Sequence, residues 1–214
     1  AKALTVSGIT ASNKTYDGDN TATTTLTLSG LIGSETLDAT NNTSTFNNKN
    51  VGSNKTVTVN SITLQDGSGD ADNYSISAGQ TTTANITAKA LTVSGITASN
   101  KTYDGDNTAT TTLTLSGLIG SETLNSTNTS TFNNKNAGTT NKPVTVNSIT
   151  LSDGTNGGLA SNYSIIPGQT TTANITAKTL TATASASNKV YDGDNTATTT
   201  LTLSGLIGLS LIHI

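Results

Sequence analysis

Cysteine, methionine, tryptophan and arginine are all missing from these 214 residues. Without cysteine there are no disulfides and no thiolate metal sites. Without arginine the planar, bidentate recognition of phosphate is lost. The 10 lysines are scattered among 13 acids for a net charge of −3, so no basic patch marks a nucleic-acid surface. Histidine occurs once, at His213, and no acid–base or nucleophile constellation can be assembled around it. No apolar run approaches the roughly 18–20 residues that cross a bilayer as a helix, and no secretory leader pattern opens the sequence. Charged residues make up only 11% and hydrophobic residues 32%. Disorder at such low hydrophobicity normally comes with high net charge. Here the polarity is Thr, Ser and Asn, and β-branched Thr suits a pleated, half-exposed strand.

What is present is repetition. Ala1–Leu37 recurs without change at Ala88–Leu124, and a third copy opens at Ala177 and stops matching after Gly208. Repeats set the unit of folding, and three are delimited: 1–87, 88–176 and a truncated 177–208. The last six residues, 209–214, match no part of the repeat; they resemble translated sequencing adapter and read as artefactual. With no methionine and an opening at a repeat boundary, the sequence reads as a segment of a longer array.

Alternation of period two fills the copies: Ala22, Thr24, Leu26 and Leu28, then Val57 and Val59, then Ile62 and Leu64 in the opposite parity. This predicts strands buried on one face, with a bulge or turn at Asn60–Ser61 and a glycine-associated bulge at Ser7–Gly8. About six strands per copy are expected, and no segment has helical apolar spacing over three turns. The predicted core is Leu4, Val6, Ile9, Tyr16, Leu26, Leu28, Leu31, Leu37, Phe46, Val57, Val59, Ile62, Leu64, Tyr74, Ile76 and Ile86. Three segments differ in length between copies one and two: Asp38–Phe46, Gly52–Lys55 and Asp66–Asn73. Length changes are tolerated best in exposed connections, so all three are expected to be loops. Strand runs directly into strand at Ala84–Val93, which predicts stiffly joined neighbours.

The most distinctive motif is NKTYDGDN at Asn13–Asn20 and Asn100–Asn107, and NKVYDGDN at Asn188–Asn195. It reads as a tight turn in which Asp17, Asp104 and Asp192 bond back to the backbone while Gly18, Gly105 and Gly193 supply positive φ. Tyr16, Tyr103 and Tyr191 would anchor it. A calcium site through Asp17, Asp19 and Asn20 is the weaker reading, since calcium takes six to eight oxygens. The acidic cluster Asp66–Asn73 keeps one acid of three at Asp153–Asn162, so loop solvation is favoured over metal there too. No cofactor is expected. Asn-X-Ser/Thr triplets are numerous, as composition alone would produce.

The order NKxYDG, LxLSGLxG, FxNKNxG, VTVxSITL, NYSI and TAxIT-AKxL resembles the YDG-domain repeats of large bacterial surface and secreted adhesins of the filamentous-haemagglutinin kind. The matching segments are Asn13–Gly18, Leu26–Gly33, Phe46–Gly52, Val57–Leu64, Asn73–Ile76 and Thr83–Leu91. The resemblance implies an all-β extracellular module, immunoglobulin-like or mostly β-grasp-like, strung end to end in an elongated array. It implies a non-catalytic stalk or spacer on the bacterial outer surface, with neighbouring repeats as partners in cis and a host glycan or protein reached through the parent. Direct adhesion through the three variable segments is the alternative. Neither nucleic-acid binding nor membrane insertion is expected of these residues.

Overall fold

The computed structural model describes residues 1–208. Copy one forms β1 (Lys2–Ala3), β2 (Thr5–Ala11), β3 (Lys14–Thr15), β4 (Thr21–Ala22), β5 (Thr24–Ser29), β6 (Leu37–Phe46), β7 (Gly52–Asp66), β8 (Tyr74–Ser75) and β9 (Thr81–Thr87). Copy two repeats the series as β10 (Lys89–Ala90), β11 (Thr92–Ala98), β12 (Lys101–Thr102), β13 (Thr108–Ala109), β14 (Thr111–Ser116), β15 (Leu124–Phe132), β16 (Gly138–Asp153), β17 (Tyr163–Ser164) and β18 (Thr170–Thr176). Copy three contributes β19 (Thr181–Ala186) and β20 (Thr199–Ser204). The fold is all-β. Among the described residues the only helical turns are 3-10 segments at Ala71–Asn73 and Ala160–Asn162, and no helix is long and apolar enough to cross a membrane. Nine strands stand where about six are expected, because four of the nine are two-residue pairings too short to leave a sequence pattern.

In each full copy a five-stranded sheet, ordered β3-β9-β7-β6-β4 and β12-β18-β16-β15-β13, accompanies a hairpin, β2-β5 and β11-β14. The long central strand is Val/Thr-rich and alternates: Val57 and Val59 are fully buried, as are Val144 and Val146. The bulge expected at Ser7–Gly8 is present as a register shift between Val6 and Gly8. A second bulge sits at Asn60, where Thr43 faces Ser61 but Ser44 faces Val59. Copy three carries TATASA in place of TVSGITA, and its β19-β20 pairing runs without any shift. Removing the glycine-bearing extra residue removes the bulge.

Two of the three length-variable segments are strands, not loops. Asp38–Phe46 lies within β6 and Gly52–Lys55 opens β7. Bulges absorb the extra residues: register shifts fall between Thr40 and Thr43 and between Gly52 and Lys55. Copy two places its extra residue between Gly138 and Lys142. Asn54 and Asn141 turn through positive φ, 50° and 47°, at these points, a conformation asparagine tolerates better than most side chains. A bulge changes length inside a ladder without flipping the faces beyond it. The third segment is a loop closing on a 3-10 turn.

Of the predicted core, Leu4, Tyr16, Leu37, Phe46, Val57, Val59, Tyr74 and Ile86 are buried, and Ala84 joins them. The other eight are half-buried; Val6, Ile9, Leu26 and Leu28 belong to a hairpin of only two strands, which leaves one face thinly covered.

The chain divides into two compact units that do not follow the repeat boundaries. Unit 1 is Ala1–Thr92 with Leu115–Ser126 and Leu151–Ile165; unit 2 is Val93–Thr114, Thr127–Thr150 and Ile166 onward. Unit 1 therefore holds all of copy one together with one end of copy two. Its main core cluster contains Tyr16, Phe46, Val57, Ala84 and Ile86 beside Leu91 and Tyr163. Unit 2 has its own cluster of Phe132, Val144, Ala173 and Ile175. Among the described residues, the strands of copy three form the β19-β20 hairpin, whose Leu201 and Leu203 remain 67% and 51% exposed. His213 and the 209–214 tail lie outside the described residues.

Candidate functional site at the repeat junction

The YDG turn is built locally. The Asp17 carboxylate accepts from the Asp19 N–H at 3.2 Å, and Asp19 accepts from the Thr21 N–H at 2.8 Å and its hydroxyl at 2.7 Å. Gly18 sits at φ 90°. The Lys14 ammonium lies 2.8 Å from both carboxylates and bonds the Asp19 and Thr21 carbonyls. The turn thus carries its own cation. Lys14, with the Thr21 hydroxyl and N–H, holds the Asp19 carboxyl down at about 2. Lys101 with Asp104 and Asp106, and Lys189 with Asp192 and Asp194, reproduce the arrangement, with Gly105 and Gly193 at φ 91° and 85°.

The tyrosines of these three turns have different fates. Tyr16 is 1% exposed, Tyr103 is half-buried and Tyr191 is 92% exposed. What buries Tyr16 is the end of copy two. Its hydroxyl donates to Glu122 Oε1 at 2.6 Å, and Tyr163 donates to Oε2 of the same carboxylate at 2.6 Å. The two rings meet edge to face, centroids 5.4 Å apart. Lys49 Nζ stands 3.3 Å from Glu122 Oε1 and over the Tyr16 ring. Beside them Asn162, fully buried, accepts from the Val51 N–H at 2.9 Å and donates to Asn50 Oδ1 at 3.1 Å. Parallel pairing of β10 with β17 completes the seam, and Leu91 N–H donates to the Ser164 carbonyl at 2.7 Å.

The docking half of this junction is pre-organised within a repeat. In copy one the equivalent residues repeat the wiring: Tyr74 donates to Glu35, and Ile32 N–H donates to the Tyr74 hydroxyl, as Ile119 N–H does to Tyr163. At that end Ile32 is 57% exposed and Asn73 is exposed, whereas Ile119 is half-buried and Asn162 buried. The same residue types differ only in whether another repeat covers them.

Burial alone would raise the Glu122 carboxyl, but hydrogen bonds from Tyr16, Tyr163 and Lys49 outweigh it and hold it below its ordinary 4.5. Burial, then the Glu122 bond, pushes Tyr163 up to about 12 and Tyr16 in the same direction. Two pH limbs follow. A depressed carboxyl contributes stability that is present above 4.5 and lost as pH falls through its folded value. A raised phenol contributes stability present below 10 and lost as pH rises from 10 towards about 12. Urea midpoints are expected to be level near neutrality and to fall on both sides. In Glu122→Ala the acid limb should flatten; an unchanged acid limb would remove Glu122 from the account.

Gly18 faces the docked end directly. A Cβ there would lie 2.7 Å from Ile119 Cγ2, whereas at Gly193 nothing comes within 4 Å. Alanine costs about 1–3 kcal/mol of backbone strain at either position. Gly18→Ala is expected to lower the melting temperature further than Gly193→Ala, the excess being the collision with Ile119. Equal losses would show that this contact is not tight.

Sequence reading places Tyr16 in the turn with its ring in the core, and Tyr74 in the core; it does not single out Glu122, Asn162 or Lys49. The available signal is a lone acid in the apolar loop LIGSETL, at the same place in both full copies. The YDG domain family matches residues 1–84 and again 87–173. This chain belongs to the YDG domain family. No curated protein and no solved structure matches it. The first match holds Tyr16, Lys49 and Asn50 and the second holds Glu122, Asn162 and Tyr163, so the buried contacts of Tyr16 join one YDG domain to the next.

Proposed function

We propose that this chain is a structural stalk or spacer portion of a bacterial cell-surface or secreted adhesin, non-catalytic in itself. In this reading the YDG repeats are small β-modules, immunoglobulin-like or β-grasp-like, joined end to end in an elongated array outside the cell. The observation that carries it is the junction: a repeat has two complementary ends, and Glu122, Tyr163 and Asn162 of one are buried against Tyr16, Asn50 and Val51 of the other. Complementary ends on one module are what stepwise lengthening requires. Any host glycan or protein would then be met by other parts of the parent. The test pairs small-angle scattering with adhesion. Scattering should give a particle much longer than a sphere of equal mass, and surfaces coated with the chain should hold no more host cells than uncoated ones. Saturable binding of host cells or glycans would replace the stalk with a directly adhesive module.

A further inference from the structure

Unit 2 contains an open pocket of ≈ 360 Å³ lined by Tyr103, Asn136, Ala137, Lys178, Leu180 and Ile207 among others. Residue for residue, this lining corresponds to Tyr16, Asn50, Val51, Lys89, Leu91 and Ile119 of the junction in unit 1. The surroundings have the same geometry. A Cβ at Gly105 would lie 2.8 Å from Ile207 Cγ2, against 2.7 Å for Gly18 and Ile119. Gly205 packs on Leu180 and the Thr179 carbonyl as Gly117 packs on Leu91 and the Ala90 carbonyl. In unit 1 the corresponding space holds Asn162, Tyr163 and the Glu122 carboxylate. Among the described residues of unit 2 nothing corresponds to Asn162 or Tyr163. Lys178–Leu180 is outside any strand, whereas Lys89–Ala90 is paired with Tyr163–Ser164.

We propose that this pocket is a strand-acceptor site, and that its ligand is an extended Asn-Tyr-Ser-Ile segment of a YDG repeat. The segment adds as a parallel strand along Lys178–Leu180, with the Leu180 N–H donating to its serine carbonyl. The asparagine side chain accepts from the Ala137 N–H and donates to the Asn136 side chain. The tyrosine ring enters against Tyr103, and its hydroxyl accepts from the Ile207 N–H. Every one of these contacts has a counterpart in unit 1. Strand addition of this kind takes affinity from main-chain bonds and specificity from side-chain pockets.

The probe is a synthetic peptide with the sequence of residues 159–168, LASNYSIIPG, titrated into the full chain and followed by NMR and calorimetry. Saturable binding is expected, with shift changes confined to Tyr103, Asn136–Ala137, Lys178–Leu180 and Ile207. Peptides with alanine for the asparagine or for the tyrosine should each bind about tenfold or more weakly, since each loses at least one buried bond or ring contact. These changes lie in the peptide, so the folding of the protein is not at stake. No binding at millimolar peptide, equal binding of a scrambled peptide, or shift changes elsewhere would each overturn the proposal.

Discussion

Glu122→Ala is expected to destabilise unit 1 by about 2–6 kcal/mol, because each of two buried tyrosine hydroxyls then lacks its acceptor at about 1–3 kcal/mol apiece. The carboxylate is 6% exposed and accepts from Tyr16 and Tyr163 while facing Lys49. The chain contains its own control. Glu35 stands in the same SETL sequence but accepts from one tyrosine, Tyr74, at an end where Ile32 and Asn73 are exposed. Glu35→Ala should therefore cost about 1 kcal/mol. Glu122→Gln, which keeps one acceptor oxygen, should fall between them. Urea unfolding followed by tyrosine fluorescence measures all three, and equal costs for Glu35→Ala and Glu122→Ala would show that the junction contributes nothing.

The second large effect is a gradient across three tyrosines in nearly the same motif. Tyr16→Ala is expected to cost about 3–5 kcal/mol, the range for removing a fully buried aromatic ring. Tyr103→Ala should cost clearly less, because Tyr103 is only half-buried beside an open pocket. Tyr191→Ala should lie within about 0.5 kcal/mol of no effect, as for other exposed side chains. Tyr16→Phe separates ring from hydroxyl: it keeps the packing and loses a bond to a charged acceptor, worth about 1.5–3 kcal/mol. The melting temperatures of the four variants decide the matter. If Tyr16→Ala and Tyr103→Ala were equivalent, the ring would be an anchor of its own turn and not part of a joint.

That gradient shows how far local sequence reaches. The YDG turn closes on itself through Lys14, Asp17, Asp19 and Thr21, all within eight residues. It forms equally in copy three, where Tyr191 is almost wholly exposed. A pattern whose partners are that close can be read from spacing alone. So can the period-two strands and the Ser7–Gly8 bulge, since alternation and glycine report directly on the pleat. The length-variable segments were less legible. Length change suggests a loop, yet in β6 and β7 the extra residues are bulges inside a continuous ladder. Residue spacing does not distinguish the two, because a bulge needs only one unpaired residue.

The repeat, the all-β character, the turn and most of the large buried side chains are legible in the residues alone, because each depends on neighbours within a few residues or on the alternation of one strand. Burial at the joint, by contrast, comes from the docking of one repeat on another. Glu35 and Glu122, Asn73 and Asn162, Tyr16 and Tyr103 are indistinguishable in local sequence, yet one member of each pair is sealed from solvent and the other is not. The physical reason is sequence distance. Glu122 is 106 residues from Tyr16, and Asn162 is 111 from Val51. Burial and charge stabilisation at that range arise only when a second repeat has folded and docked.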